Sequence, residues 1–376
     1  MPRAAVSEPP PPDGPVEGAG LTDAVVGLGR AAGLAVVGVT TAETFAETRR
    51  HLFERRDRGL DGGMQFTYRN PDRSTDPSRI LPGARSLVVG AWSYRRAEPD
   101  PTADPSSPDR DSRPRGTVAR YARADHYASL RTALAPVAQH LRGEGWRATV
   151  VCDDNALVDR AAAHRAGIGW FGKNSLLLLP GAGSWFVLGS VVTDAPMRPT
   201  TGGRAPAAHA EGCGSCARCL GACPTGALVA PGVLDARRCL AWLVQAPGPF
   251  PLEYRAALGD RIYGCDDCQQ VCPINKVADR RSPPPPDDGS RLDLLDLLEA
   301  TDEELLAAHG RWYIPDRQPR YLRRNALVAL GNVGNGRHPG TARAVSRWLR
   351  ADDPMLREHA RWAAHRLGRD DLTASL

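Results

Sequence analysis

Cys213-Gly214-Ser215-Cys216-Ala217-Arg218-Cys219-Leu220-Gly221-Ala222-Cys223-Pro224 is the stretch on which the reading of this chain turns. Cys265-Asp266-Asp267-Cys268-Gln269-Gln270-Val271-Cys272-Pro273 repeats its ending downstream. The second run lacks a first cysteine, and Cys239 stands upstream in its place. Thiolates are soft, anionic ligands that suit iron, and a tight loop of three can hold three corners of a cubane. The fourth cysteine of such a run points away and serves the neighbouring cluster. The spacing therefore predicts two [4Fe–4S] clusters with crossed ligands. One set is Cys213, Cys216, Cys219 and Cys272; the other is Cys223, Cys239, Cys265 and Cys268. A pair of zinc sites would use the CxxC pairs but has no need of a Cys-Pro ending twice.

Outward from the motifs, the chain has 376 residues and is 42% hydrophobic, enough for two or three domains. No apolar run reaches the length of a membrane span and no signal core is readable, so the expected place is the cytoplasm, as a monomer. Nine cysteines in such a chain point to metal or redox chemistry rather than a disulfide framework. The ninth, Cys152, ends an apolar run and reads as a core thiol.

Residues 1–18 are rich in Pro, Gly and Glu and read as disordered. Residues 21–33 carry a helical apolar stripe. Apolar runs at Leu34–Val39, Ser86–Trp92, Ala148–Cys152, Ser175–Leu179 and Trp185–Thr193 read as strands, with an amphipathic helix at Ala156–Ala166. The alternation predicts an α/β domain over 19–205. A ferredoxin-like cluster domain follows over 206–281. Ala97–Arg115 reads as a surface loop and residues 282–290, with four consecutive prolines, as a linker. From 291 to 376 the pattern is helical. Arg323–Val333 and Pro354–Leu367 share an Arg-rich, Ala/Leu-periodic character that suggests paired HEAT-like helices. The fold class is thus α+β multidomain.

Gly167-Ile168-Gly169-Trp170-Phe171-Gly172-Lys173-Asn174 matches both GxGxxG and most of a P-loop. Both need a strand before and a helix after, and here the order is reversed, so nucleotide binding is not expected. The glycines are read as letting the backbone approach a bulky ligand, with Lys173, one of only two lysines, touching it. From Arg311 to Arg369 there are 13 arginines against 4 acids, while the whole chain carries +5. The positive charge is thus concentrated where a polyanion could bind.

Several segments together resemble one family, the cobalamin-dependent epoxyqueuosine reductases. They are Asn70–Arg73 with Leu81-Pro82-Gly83-Ala84-Arg85-Ser86, Arg120-Tyr121-Ala122-Arg123, the stretch from Asp153 to Lys173, and Arg324-Asn325-Ala326-Leu327-Val328-Ala329-Leu330-Gly331-Asn332. The resemblance runs over roughly residues 21 to 370. It implies reduction of the epoxide of epoxyqueuosine to an alkene in a tRNA anticodon, the last step of queuosine formation. It also implies cobalamin in the N-terminal domain, clusters fed by an external one-electron donor of flavodoxin or ferredoxin type, and a helical tail that holds the anticodon stem-loop.

Removing the epoxide oxygen asks for electrons and a proton donor. Asp153, at the end of the Ala148–Cys152 strand, matches the acid that opens the family segment, with Asp154 as its neighbouring competitor. Asp159 reads instead as a partner of Arg160 or Arg165. Cobalamin contacts are expected from Arg73, Tyr127, Asp153, Lys173, Asn174 and Ser175. Where the family reads Asp-Tyr-His, this chain has Asp125-His126-Tyr127-Ala128, so no histidine is assigned to cobalt. His126 and His164 read as ordinary residues. Arg323, Arg324, Asn325, Arg357 and His359 are the expected RNA face, and Trp348 and Trp362 are expected to pack between helices. A reductive dehalogenase-like enzyme shares the corrin-and-clusters plan but has no use for a basic tail. A ferredoxin-type electron carrier would leave the N-terminal domain without a task, and an RNA-binding repeat protein would carry its clusters only as structure.

Overall fold

A computed structural model describes residues 17–97, 113–202, 211–285 and 289–374. Most of the predicted N-terminal disorder, the centre of the Ala97–Arg115 loop and part of the proline linker lie outside the described residues. Glu17 and Gly18 already belong to helix α1, Glu17–Ala31.

The N-terminal sheet has four strands: β1 Val36–Thr41, β2 Ser86–Ser93, β4 Ala148–Cys152 and β5 Phe186–Thr193, in the order β1-β2-β5-β4. Every pairing is antiparallel. This corrects the expected α/β arrangement, whose crossovers would run the strands parallel. The cause of the misreading is physical. Near-continuous apolar strands usually mark a parallel sheet covered on both faces. Here an antiparallel sheet is covered on both faces and so carries the same pattern. On one face, Val88 and Val191 pack with Leu130, Leu134 and Leu141 of α2, His126–Gly143. On the other, Leu87, Val89 and Val192 pack with Ala162 and Ala163 of α3, Asp159–Arg165. Gly90 and Gly189 face each other across β2 and β5. A Cβ on Gly90 would come within 2.8 Å of Leu34, and one on Gly189 within 2.7 Å of Cys152, so the pair lets α2 and the loop after α1 close onto the sheet. Cys152 is the core thiol expected of it, and burial pushes it up to about 11.

A second sheet joins three distant parts of the chain. Its central strand β3, Arg115–Val118, pairs parallel with β6, Arg261–Tyr263, and antiparallel with β7, Arg291–Asp293. The C-terminal region is therefore not helical from its start: its first element is a strand, and the Val118 N–H donates to the Ser290 carbonyl at 2.9 Å. Behind this sheet Val118, Ile262 and Tyr263 share one core with Leu294, Leu298, Leu322 and Leu330. That core is built by α5 Leu294–Glu299, α6 Asp302–His309, α7 Arg320–Val333, α8 Pro339–Leu349 and α9 Pro354–Arg366. The two stretches that looked alike in sequence are α7 and α9, and they pack on each other. Trp362 covers Gly331, where a Cβ would lie 2.7 Å from its ring.

Candidate active site and cluster ligands

All eight motif cysteines are half-buried free thiols, and their neighbourhoods sort them into two groups. The Cys219 thiol is pushed up by burial and then by Cys213, Cys272 and Cys216. Cys265 is pushed up to about 12 by burial, with Asp267 and Cys239 adding to it. Cys268 rises through burial, then Cys265 and Cys239. Cys239 rises through burial and the nearby Cys223. Cys219 thus feels Cys213, Cys216 and Cys272, and Cys239 feels Cys223, while Cys265 and Cys268 both feel Cys239; Cys268 also feels Cys219 of the first run. Among the described residues no three His, Cys, Asp or Glu side chains converge on one shared ion. A cubane does not require that, because its thiolates sit on separate irons.

The second cysteine loop is fastened to the sheet domain by buried polar groups. From the gap between Cys268 and Cys272, the Gln269 Nε2 donates to the Tyr94 hydroxyl at 3.1 Å and to Ser184 Oγ at 3.0 Å. Asn275 sits on helix α4, Pro273–Arg281. Its Nδ2 donates to Ser184 Oγ at 3.0 Å, and its Oδ1 accepts from the Ser184 N–H at 2.7 Å. The Asp266 carboxylate accepts from the Arg120 N–H at 2.7 Å. Sequence reasoning passed over Gln269 and Asn275; the available signal was two amides sitting inside and just after a metal-ligand spacing.

Asp153 follows β4 directly, in a left-handed conformation with φ of 52°. A non-glycine residue there is uncommon and stores strain, a feature that clusters at functional sites. Its side chain is exposed, and among the described residues its carboxylate has no hydrogen-bond or ion-pair partner. Burial of its surroundings raises its pKa; Arg131 opposes this, and Asp125 and Asp154 add to it. Tyr127, half-buried on the first turn of α2, is raised by burial and then by Asp153 and Asp159. Tyr263 is raised by burial and feels Asp153 as well. Acid and phenols therefore share one corner of the molecule. Asp154 is occupied locally, accepting from the Ala156 N–H at 2.9 Å. That turn delays the helix, which begins at Asp159 rather than Ala156.

The expected partnership of Asp159 is not present. Arg160 donates instead to the Ser175 carbonyl at 2.7 Å, and Arg165 to the Glu43 carbonyl at 2.6 Å. Asp159 Oδ1 is buried without a hydrogen bond, and its pKa is raised well above the usual range by burial and then by Asp153.

A relative from Xanthomonas campestris named epoxyqueuosine reductase is 36% identical over 352 residues, which cover 89% of this chain and 93% of its own. This chain belongs to the epoxyqueuosine reductase family. A Bacillus subtilis relative of the same name is 32% identical over 93% of this chain and 88% of its own. Among solved structures, a selenomethionine-labelled epoxyqueuosine reductase is 31% identical, with a TM-score of 0.82 over 95% of this chain and 92% of its own. Another, solved with a tRNA-Tyr epoxyqueuosine-modified stem loop, is 31% identical, with a TM-score of 0.78 over 93% and 90%. The pattern described as "Epoxyqueuosine reductase QueG, DUF1730" matches residues 74–154, and a "4Fe-4S double cluster binding domain" matches 212–275. The chain is therefore an oxidoreductase that reduces epoxyqueuosine to queuosine. Two [4Fe–4S] clusters and cobalamin are its cofactors, the latter following from the family.

For an epoxyqueuosine reductase, the other expected contacts fall unevenly. Tyr127 and Asp153 come together. Arg73 is exposed on the short helix Pro71–Ser74. Lys173 donates to the Gly214 carbonyl at 2.7 Å, which commits it to the first cysteine loop. Asn174 is buried, and its Oδ1 accepts from the Leu176 N–H at 3.2 Å. Ser175 adopts φ of 62° beside it. One of the glycines serves the chain itself: a Cβ on Gly169 would lie 2.3 Å from the Leu178 carbonyl oxygen, within the hairpin of Trp170–Phe171 and Leu177–Leu178.

The expected RNA face is also corrected. Arg324 and Asn325 are fully buried. Arg324 donates to the carbonyls of Leu243, Val244, Ala246 and Gly248, and Asn325 to those of Val244 and Ile262. Arg323 is tied to Asp302 and the Ala300 carbonyl. His359 is buried and accepts from the Phe250 N–H at 3.1 Å. Arg357 donates to the carbonyls of Ala351 and Asp352. These residues clamp the helical region to the cluster domain and to itself.

Proposed function

We propose that the reduction takes place at the wobble position of a tRNA anticodon, with Asp153 as the acid. The support is twofold: one relative was solved with a modified tRNA stem loop, and a Bacillus subtilis relative with its catalytic aspartate loop swung out of the active site. The observation that carries the reading is the unpartnered Asp153 carboxyl, held at a strand end with a raised pKa next to Tyr127.

Converting an epoxide to an alkene consumes two electrons and two protons, and the oxygen leaves as water. Cobalamin, when bound, supplies a cobalt centre that delivers electrons to one carbon. Asp153 donates a proton to the departing oxygen, and its raised pKa keeps the proton to higher pH than an ordinary carboxyl does. Tyr127 lies within the field of the same carboxyl. Cys213, Cys216, Cys219 and Cys272 hold one cluster, and Cys223, Cys239, Cys265 and Cys268 the other. Their gathering into these two groups supports the crossed ligation, and the Gln269–Ser184–Asn275 clamp keeps the clusters fixed relative to the sheet domain. Electrons enter from a one-electron donor of flavodoxin or ferredoxin type. The protein acts as a cytoplasmic monomer; no helix among the described residues is long and apolar enough to cross a membrane. The α7–α9 helices are read as HEAT-like, with the exposed arginines of α8 and α9 facing RNA.

Asp153→Asn tests the acid. It retains its iron and its cobalamin spectrum while turnover drops about 100- to 10,000-fold. Wild-type-like turnover in that variant would remove Asp153 from the mechanism. In the wild type, activity falls as pH rises through the raised pKa of Asp153, because the deprotonated form cannot donate.

A further inference from the structure

Most large apolar side chains of the helical region are buried; Tyr313 is 48% exposed. It lies in an extended stretch whose neighbours Trp312 and Ile314 point inward, so alternation alone turns its ring outward. The stretch is held firmly. Trp312 stacks between Tyr263 and His309, at centroid distances of 4.5 and 4.4 Å, and its indole N–H donates to the Ala122 carbonyl. The Tyr263 hydroxyl accepts from the Tyr313 N–H at 2.8 Å and donates to the Tyr313 carbonyl at 3.2 Å, pinning that backbone from both sides. Asp316 and Arg317 follow in consecutive left-handed conformations, with φ of 48° and 53°, a costly turn that fixes where the stretch ends.

The exposed ring is backed by a second aromatic. Trp242 lies 6.5 Å from it at an interplanar angle of 29°, and its own indole N–H is fixed on the Gly62 carbonyl at 2.9 Å. The loop at Gly62 comes so close that a Cβ there would lie 3.1 Å from Trp242 Nε1. Inward from Tyr313 the contacts run to two further tyrosines: Tyr263 touches Tyr313, and Tyr121 packs on Tyr263 at 6.3 Å; Tyr263 in turn lies within the field of Asp153. A rigid, two-layer aromatic step therefore stands on the Asp153 side of the helical region.

We propose that Tyr313, backed by Trp242, is a stacking platform for an unpaired nucleobase of the anticodon loop adjacent to the base being reduced. This rests on the reading that the substrate is a base in tRNA. A base that leaves its stack to reach Asp153 strands its neighbours, and an exposed aromatic face recovers their stacking. Aromatic faces accept any base, so the platform holds the loop without selecting its sequence. Fixing the ring in advance lowers the entropy cost of that contact.

The test uses the full, cluster-reconstituted chain and a tRNA-Tyr anticodon stem-loop with 2-aminopurine at one of the two positions flanking the wobble base. Wild type and Tyr313→Phe bind it and quench the fluorophore at one flanking position. Tyr313→Ala binds roughly 5- to 150-fold more weakly, the range of one base–aromatic stack, and loses that quenching. Its dependence on salt is unchanged, because every phosphate keeps its cationic partner. Tyr313→Ala binding and quenching like wild type overturns the platform. Weaker binding with a shallower salt slope and intact quenching also overturns it, since the loss is then electrostatic. Failure of the wild type to bind the stem-loop at all overturns the underlying reading of the substrate instead.

Discussion

Helix α7 and the pair α8–α9 draw on the same materials, arginine against an Ala/Leu background, and use them in opposite ways. In α7 the charge is turned inward. Arg324 is fully buried and, among the described residues, has no carboxylate partner; it donates to four backbone carbonyls and the Asn325 side-chain oxygen, and burial brings its pKa down to about 9. Its planar fork of donors is what lets one side chain satisfy several carbonyls that end nearby helices and turns. In α8 and α9, Arg343, Arg347, Arg361 and Arg366 stand in solvent. The net charge of the region is the same whichever arginines are inside. Only the outward ones can meet a phosphate, and the inward ones decide whether the helices stay attached to the cluster domain.

The largest effect that would break this comparison lies at Arg324. Arg324→Ala is expected to cost about 3–5 kcal/mol in denaturant unfolding, because it strands the carbonyls of Leu243, Val244, Ala246 and Gly248. A cost below about 1 kcal/mol would mean that those carbonyls reach water and that α7 is no clamp.

A second effect is carried by His359, which α9 presses against Arg255 and Phe250. Burial, opposed by the bond to the Met355 carbonyl, brings its pKa from an ordinary 6.5 down to about 4. The folded state therefore holds it neutral while the unfolded state takes up a proton. Stability is present above pH 6.5 and is lost as pH falls toward 4, by up to about 3 kcal/mol. Glu358, lowered against burial by its bonds to Arg255, loses its own contribution at still lower pH. His359→Gln should flatten the stability profile between pH 6.5 and 4. A slope unchanged in that variant would assign the acid sensitivity to other groups.

The smallest change in stability belongs to the outward face. Arg343→Glu with Arg347→Glu should leave unfolding within about 0.5 kcal/mol. Stem-loop binding should weaken, and its salt slope should fall by about one unit for each phosphate that is no longer neutralised. Unchanged affinity would mean that the exposed arginines are only solvated and that RNA is held elsewhere.

Much of the site was legible because it is local. Eight cysteines, their spacing and the Cys-Pro endings are covalent facts about short loops, and the match of residues 212–275 to a double-cluster domain follows from them. The strand Ala148–Cys152 and the position of Asp153 at its end were readable for the same reason: a short apolar run and the break after it are properties of a few adjacent residues. Asp159 was misjudged because its arginine neighbours in sequence turn to backbone carbonyls elsewhere. Tyr313 drew no notice because exposure is not written in a residue's type.

By itself, then, the sequence determined the cofactor chemistry, the family and the place of Asp153 at the strand end, each resting on bonds or spacings within a few residues. The tertiary structure alone decided that the first sheet runs antiparallel, that β3, β6 and β7 join three remote segments, and that Arg323, Arg324, Asn325 and His359 face inward. Those outcomes depend on which distant surfaces exclude water together. A charge or an apolar run carries the same local signature whether it ends up against solvent or against another part of the chain.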